Sequence, residues 1–142
     1  MFEVIEIDAK TWSESYSEFA HAIGFGTVKK PETERIDFAM MGVKDGLPMG
    51  YITCHELDSK TVYWQFGAPF PGTNGTINVY RAYEAGAKLC LAKYDKIVTY
   101  IGNHNIPMLK MAMQVGFRIT GIRVNGLEIL VEHTLLKGDK DG

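Results

Sequence analysis

A stretch of ten residues rich in glycine and proline separates two parts of the chain that differ in hydrophobic pattern. It covers residues 67–76, Gly-Ala-Pro-Phe-Pro-Gly-Thr-Asn-Gly-Thr, and such a composition predicts a loop. Before this loop, β-branched and aromatic segments follow one another through short turns, which is typical of antiparallel strands. After it, helical spacings alternate with a short apolar run. This division restricts the chain to a domain of mixed α/β class.

A first strand and an aromatic helix are predicted at the start of the chain. Residues 2–7 alternate in the manner of a half-buried strand. Thr11 and Glu14 have the spacing of a capping box, in which each side chain bonds a backbone donor of the other. Large side chains then recur at helical spacing as far as Gly24, a suitable helix stop: Trp12, Tyr16, Phe19 and Ile23. This face either packs in the core or has one edge that lines a substrate cleft.

Three further strands are predicted before the loop, at residues 36–43, 50–57 and 61–66. Lys44-Asp45-Gly46 has the composition of a hairpin turn between the first two of them. Pro48 is expected to delay the second, because proline cannot donate a ladder hydrogen bond. The short connections predict that the three strands are antiparallel neighbours.

The part after the loop is predicted to begin with a helix over residues 77–92. Three small residues on this helix fall four apart, a spacing that lets a helix lie close on a sheet: Ala82, Gly86 and Cys90. The apolar run 96–101 predicts a strand covered on both faces. Asn105 is a suitable N-cap for a second helix that ends at Gly116, and Pro107 is tolerated in its first turn.

The last predicted element is a hairpin. Residues 117–124 and 127–136 flank Asn125-Gly126, which favours a type I′ turn. No repeat or linker interrupts the pattern, so residues 1–137 are predicted to form a single domain. Residues 138–142 are polar and are expected to be a disordered tail.

Composition and charge exclude several classes of function. With 46% hydrophobic residues and a net charge of -2, the chain is of ordinary globular type and lacks a basic field for nucleic acid or an anionic membrane. Cys54 and Cys90 lie in apolar stretches without metal-ligand spacing, so we expect two buried free thiols and no metal site. No apolar run approaches the roughly 18 residues of a membrane span. The early acidic residues do not resemble a signal peptide, so a cytoplasmic protein is expected.

The order of elements resembles that of the GNAT family of acyl-CoA-dependent N-acyltransferases over nearly the whole chain. The most specific match is Asn105 with Gly116-Phe117 eleven residues later, since GNAT proteins commonly carry an Asn after the fifth strand and a Gly-Phe at that distance. Gly75 lies thirty residues before Asn105, where the family has a central glycine. The resemblance implies a mixed, mostly antiparallel sheet of about seven strands flanked by about three helices.

The resemblance also implies acetyl-CoA or another acyl-CoA as the acyl donor. A helix N-terminus offers a pyrophosphate unpaired backbone N–H groups and the positive end of the helix dipole. The cofactor residues implied are two strand residues, the loop and the motif asparagine: Phe66, Ala68, Gly72, Thr73, Asn74, Gly75, Thr76 and Asn105. When the loop is aligned on Gly75, only that glycine keeps the family pattern, and Ile77 replaces a small residue.

The catalytic positions of the family are altered in this chain. Many members have a tyrosine seven residues after the motif asparagine as general acid, and Ala112 stands there. Other tyrosines are substitutes in principle, and nothing in the sequence selects among them: Tyr63, Tyr80 and Tyr83. The base position on the fourth strand holds Gln65, which cannot accept a proton near neutral pH. Glu56, at the end of the third strand, is the remaining carboxylate that could activate an amine through water.

Two functions follow from this resemblance, and the sequence leaves both open. The first is an acyl-CoA-dependent N-acyltransferase acting on a small-molecule or protein amine, with Glu56 and Gln65 as catalytic candidates. The second is a non-catalytic GNAT-like module in protein assembly; tailed bacteriophages encode such proteins, some of them labelled as head-assembly proteins. No nucleic-acid or membrane partner is expected. A homodimer through the last hairpin, or another assembly partner, is a further expectation.

Overall fold

The computed structural model describes residues 2–12, 14, 36–69 and 76–138. The strands are β1 (Phe2–Asp8), β2 (Phe38–Lys44), β3 (Leu47–Asp58), β4 (Thr61–Pro69), β5 (Lys96–Gly102), β6 (Arg118–Asn125) and β7 (Glu128–Leu136). The helices are α1 (helical residues 9–12 and 14), α2 (Thr76–Leu91) and α3 (Ile106–Val115). The strands form one seven-stranded sheet in the order β1-β2-β3-β4-β5-β7-β6. The predicted α/β architecture of seven strands and three helices is confirmed.

Neighbouring strands of the sheet are antiparallel at every pairing except one. β1 to β4 form a meander of antiparallel neighbours, as the short turns predict. β7 pairs antiparallel with both β5 and β6. The exception is β4 with β5, which are parallel because α2 carries the chain back across the sheet between them.

The hydrophobic core lies between one face of the sheet and the helices α2 and α3. On β5, Ile97, Thr99 and Ile101 are buried on this face. Val98 and Tyr100, which point to the other face, are only half-buried. The prediction that this strand is fully covered is therefore confirmed for one face only.

Helix α2 lies close on the sheet because its inner face carries small residues. A Cβ atom at Gly86 would lie 3.2 Å from Met40 Cε and 3.7 Å from a ring carbon of Trp64. Cys90 is fully buried, and its Sγ accepts a hydrogen bond of 3.4 Å from Trp64 Nε1. The close packing predicted from the spacing of the small residues is confirmed.

Helix α1 packs on the opposite face of the sheet, and its start differs from the prediction. Trp12 is buried, with its ring centroid 5.0 Å from that of Tyr51, which alternates on β3 with the core residue Ile52. The helix begins at residue 9, and Asp8 Oδ1 accepts a hydrogen bond of 2.7 Å from the Thr11 backbone N–H. The predicted capping box at Thr11 is wrong, because Asp8 takes the N-cap role three residues earlier. The predicted helix end at Gly24 lies outside the described residues.

Two strands extend further than predicted, and proline residues mark both differences. β3 begins at Leu47, because Pro48 pairs with Val43 at a register shift that leaves Met49 as an extra residue. β4 continues to Pro69, which pairs with Gly50, so residues 67–69 belong to the strand and not to the loop. Proline is tolerated at bulges and along open strand edges, where its missing N–H breaks no ladder hydrogen bond.

Residues with positive φ identify the turn types of two hairpins. Asp45 and Gly46 have φ of 51° and 83°, the pattern of the type I′ turn that Asp-Gly favours. In the last hairpin Asn125 pairs with Glu128, so the turn residues are Gly126 and Leu127. Only Gly126 has positive φ (64°), which indicates a type II′ turn, so the predicted type I′ turn is wrong.

The cysteine prediction is confirmed, since Cys54 and Cys90 are both buried and free. In the described ranges, no group of three or more His, Cys, Asp and Glu side chains has a geometry suited to a metal ion. Among the same residues, no helix has both the length and the apolar character that crossing a membrane requires.

Candidate active site at the gap between β4 and β5

The two parallel strands at the centre of the sheet separate before they end. Their pairing runs from Thr61 with Lys96 to Trp64 with Thr99. β4 continues to Pro69 and β5 to Gly102, but no ladder pairing between them follows in the described part of the chain. The buried Thr99 hydroxyl donates a hydrogen bond of 3.1 Å to the Trp64 carbonyl oxygen, which closes the ladder at this point. Beyond it, no described strand pairs with the edge of β4 that faces β5.

A β-bulge at Gln65 lies at the start of this gap. Cys54 pairs with Trp64 and Thr53 pairs with Phe66, so Gln65 is an extra residue on β4. A bulge bends its strand and increases the local twist. The bend therefore coincides with the position where β4 parts from β5, and Gln65, which is half-buried, stands at that position.

A cleft lies beneath α2 on the core side of the sheet, next to the gap. It holds about 610 Å³ of free space, counting its open mouth. Its walls come from four strands and both long helices: Val4, Met40, Gly42, Met49, Gly50, Tyr51, Ile52, Gly67, Val79, Ala82, Tyr83, Gly86 and Met108. Gly67 belongs to the part of β4 that has left β5, so the cleft and the gap share this stretch of strand.

Tyr83 is the candidate acid that the structure places at this cleft. Its ring contacts that of Trp64 with centroids 5.4 Å apart, and burial raises its pKa to about 12. Tyr63 instead packs against Tyr100 on the other face, with ring centroids 5.6 Å apart. Tyr80 donates a hydrogen bond of 3.2 Å to Glu84 on the same helix. Proximity to the gap thus selects Tyr83, which sequence spacing alone did not.

Glu56 lies at the hairpin end of β3, opposite Val62. That position is three residues before Gln65, about 10 Å along the strand. Glu56 Oε2 accepts a hydrogen bond of 2.9 Å from the Tyr94 hydroxyl. Burial, and then this hydrogen bond, raise the pKa of Tyr94. The structure therefore does not bring the two catalytic candidates, Glu56 and Gln65, together.

The predicted cofactor residues are only partly within the described chain. The backbones of Phe66 and Ala68 lie in the open part of β4, paired with Thr53 and Tyr51 of β3. Thr76 is the first residue of α2, whose first turn carries no acidic side chain. The loop residues assigned to the pyrophosphate lie outside the described residues: Gly72, Thr73, Asn74 and Gly75.

Asn105 precedes α3 at the end of the sheet where the gap opens. It is exposed and occupies the N-cap position, but its side chain makes no capping hydrogen bond. Its backbone carbonyl accepts a hydrogen bond of 3.1 Å from the Leu109 N–H. Gly116 ends α3 with φ of 118°, as predicted, and its N–H bonds the carbonyls of Ala112 and Met113.

Sequence reasoning missed a polar cluster beside the gap, on the face opposite to the core. Tyr100, the first β5 residue after the ladder ends, donates a hydrogen bond of 2.9 Å to Glu132 Oε2 on β7. Thr120, the extra residue of a bulge in β6, donates one of 2.6 Å to Glu132 Oε1. These hydrogen bonds, that of Thr120 first, lower the pKa of Glu132. Arg123 lies over the Tyr100 ring at 4.6 Å. No spacing signal could reveal contacts between strands this far apart in the sequence.

Solved structures share the overall fold of this chain. The aminoglycoside acetyltransferase AAC(6')-Ib in complex with coenzyme A matches with a TM-score of 0.71 and 12% identity, covering 99% of this chain and 98% of that one. A GNAT family acetyltransferase from Elizabethkingia anophelis with acetyl-CoA bound matches with a TM-score of 0.62 and 16% identity, covering 95% of this chain and 97% of that one. A probable GNAT family acetyltransferase from Chromobacterium violaceum ATCC 12472 matches with a TM-score of 0.72 and 10% identity, covering 99% of this chain and 90% of that one. The chain has the GNAT fold.

The GNAT fold is established by structure and not by sequence similarity. No protein-family model and no curated protein sequence matches the chain. At identities of 10% to 16%, the structural likeness shows the fold alone. The fold alone therefore does not determine an activity, which depends on the gap, the cleft and the residues around them.

Proposed function

We propose that the protein is an acyl-CoA-dependent N-acyltransferase, and that coenzyme A lies in the gap between β4 and β5. The observation that carries the proposal is the end of the ladder at Trp64 and Thr99, after which no described strand pairs with this edge of β4, the strand that precedes α2 in the chain. The amide groups of a pantetheine arm can hydrogen-bond such an edge as an added strand does. AAC(6')-Ib, which has a similar fold, forms a complex with coenzyme A, and this supports coenzyme A as the ligand here.

The start of α2 is the proposed site for the pyrophosphate. A helix N-terminus attracts anions through its free N–H groups and its dipole, and no acidic residue opposes this in the first turn of α2. We assign the pantetheine to the backbones of Phe66 and Ala68. The loop residues Gly72 to Gly75, together with Thr76 and Asn105, remain the candidates for contacts with the phosphates.

The proposed reaction is direct transfer. The acceptor nitrogen attacks the thioester carbonyl carbon, an N–C bond forms, and the C–S bond breaks. The nitrogen loses a proton through water, and the coenzyme A thiolate takes up a proton. No covalent enzyme intermediate is needed, so the main contribution of the protein is to position the two substrates.

Gln65 and Tyr83 are the side chains that we assign to this step. Gln65 stands at the bulge and can hydrogen-bond the carbonyl or the acceptor, although it cannot accept a proton. Tyr83, with a pKa of about 12, is a weaker acid than a thiol of ordinary pKa near 8.5, so it supports the thiolate by hydrogen bonding without protonating it. Glu56 takes no part in this proposal, because Tyr94 holds it at the hairpin end of β3.

Titration with free coenzyme A and acetyl-CoA, followed by calorimetry and melting temperature, tests the proposal. At a ligand concentration a hundredfold above Kd, we expect about 2.7 kcal/mol of stabilisation. Thr76→Asp places a negative charge at the start of α2 and should weaken binding, whereas Thr76→Asn, of similar size but neutral, should weaken it less. An acceptor screen that detects released thiol then tests transfer. Absence of binding at millimolar ligand would sink the proposal.

A second candidate function is a GNAT-like module in protein assembly, which an exposed apolar end of the molecule favours. In the last hairpin Ile122 and Val124 are 71% and 70% exposed, and Leu127 is fully exposed. Exposed apolar side chains that lie close together often mark protein contacts, and these three belong to one hairpin. A homodimer or assembly partner on this hairpin, and a bacteriophage source, stay predictions. Light scattering that finds only monomers would count against the homodimer, and turnover of acetyl-CoA would displace the non-catalytic alternative.

A further inference from the structure

The cleft beneath α2 is lined by residues of strands β1 to β4 and of the helices α2 and α3. Gly67 lies on β4, whereas Met108 lies on α3, which follows β5. Tyr83 and Val79 of α2 form the roof. The cleft and the gap therefore adjoin at Gly67, which lines the cleft and lies on β4 beyond the last pair with β5.

The lining of the cleft suits a hydrocarbon chain. Among the described residues that line it, only Tyr51 and Tyr83 have a polar group on the side chain, and three of the apolar ones are the flexible methionines Met40, Met49 and Met108. Methionine side chains adapt to apolar ligands of different shapes. Gly42 and Gly67 contribute no side chain to the lining, and a Cβ at Gly67 would lie only 3.1 Å from the Tyr51 carbonyl oxygen, so a larger residue there would be strained.

The pantetheine arm and the acyl chain of an acyl-CoA are stabilised by different surroundings. The pantetheine arm carries two amides, and burying an amide without a hydrogen-bond partner is unfavourable, so the arm belongs along the open backbone edge of β4. An acyl chain carries no polar group beyond its carbonyl and is favoured in an apolar space. The apolar cleft is therefore the better fit for the acyl chain.

We propose that this cleft receives the acyl chain of the thioester and that the protein prefers linear acyl groups longer than acetyl. The inference rests on the proposed transferase function and specifies its donor. During transfer the acyl carbonyl carbon gains the acceptor nitrogen and loses the coenzyme A sulfur, while the chain in the cleft stays unchanged. Each methylene that leaves water for the cleft should tighten binding about fourfold until the space is filled.

Calorimetric titration with free coenzyme A and its acetyl, butyryl, hexanoyl and decanoyl thioesters tests the inference on the wild-type protein. We expect Kd to fall from acetyl to hexanoyl by at least an order of magnitude. Equal affinity for all thioesters overturns the inference and leaves the proposed function standing. Failure of free coenzyme A and of every thioester to bind overturns both.

Two variants at methionine residues of α3 test whether the dependence of affinity on acyl-chain length arises in the cleft. Met108→Trp narrows the cleft and should abolish the dependence on chain length, whereas Met113→Trp changes the same residue type at a position 56% exposed and should preserve it. If Met108→Trp weakens free coenzyme A and every thioester by the same factor, the cleft holds the pantetheine arm and the inference is overturned. If Met108→Trp does not fold, the wild-type series with Met113→Trp as control still decides.

Discussion

The hydroxyl of Thr99 closes the parallel ladder, and we expect its removal to destabilise the fold at the head of the gap. Thr99 is 9% exposed and donates to the Trp64 carbonyl at 3.1 Å. Thr99→Val keeps the shape of the side chain but leaves this carbonyl without its donor, which costs about 1–3 kcal/mol. An unfolding entropy of about 2.1 cal/mol/K per residue over 142 residues converts 1 kcal/mol into about 3 °C, so Tm should fall by about 3–10 °C.

Urea and thermal unfolding of wild type, Thr99→Val and Thr99→Ser measure this contribution. Thr99→Ser keeps the hydroxyl and loses one methyl group, which costs about 0.8 kcal/mol. The expected order of stability is wild type, then Thr99→Ser, then Thr99→Val. If Thr99→Val unfolds at the urea midpoint of wild type, or above that of Thr99→Ser, the hydrogen bond does not secure the last pair of the ladder and the reasoning fails.

Two further predictions concern stability and its dependence on pH. Gly116→Ala should lower the free energy of unfolding by about 1–2 kcal/mol, because φ at this position is 118° and the new Cβ would lie 3.3 Å from Leu135 Cδ1. Gly116→Asn should lose less stability, because asparagine tolerates a left-handed backbone better than alanine does. Equal shifts of Tm for the two variants would contradict this explanation. Hydrogen bonds from Thr120 and Tyr100 lower the pKa of folded Glu132, so their stabilisation is present above the ordinary value of 4.5 and is lost as pH falls through the folded pKa. Glu132→Gln should therefore show a flatter decline of the urea midpoint in acid than wild type, and parallel profiles would refute the assignment.

Much of the fold could be predicted because its signals are local. Asp45-Gly46 gives a hairpin turn from two adjacent residues that tolerate positive φ, and Gly116 ends α3 for the same reason. The errors arose where a different residue decided the outcome, either close by in the chain or on a neighbouring strand. Asp8 capped α1 ahead of Thr11, and pairing with β3 kept Pro69 in its strand.

The candidate site was less predictable because its geometry depends on pairing between distant segments. Gln65 could be named from the sequence, but its place in a bulge follows from the register of Thr53 and Cys54 on the neighbouring strand. Glu56 could be named as a carboxylate, but not its hydrogen bond to Tyr94, 38 residues away. Neither relation leaves a trace in local composition or spacing.

We infer from the bulge at Gln65 that the gap between β4 and β5 depends on one extra residue in β4. Because Thr53 already pairs with Phe66, deleting residue 65 would leave every later pairing of β4 with β3 unchanged. We expect the straightened strand to continue alongside β5, where its peptide groups would find partners from the same molecule instead of from a ligand. The presence of one extra residue thus distinguishes a continuous sheet from one with room for a ligand. We therefore expect an insertion or deletion at this position to change ligand binding more than a substitution does.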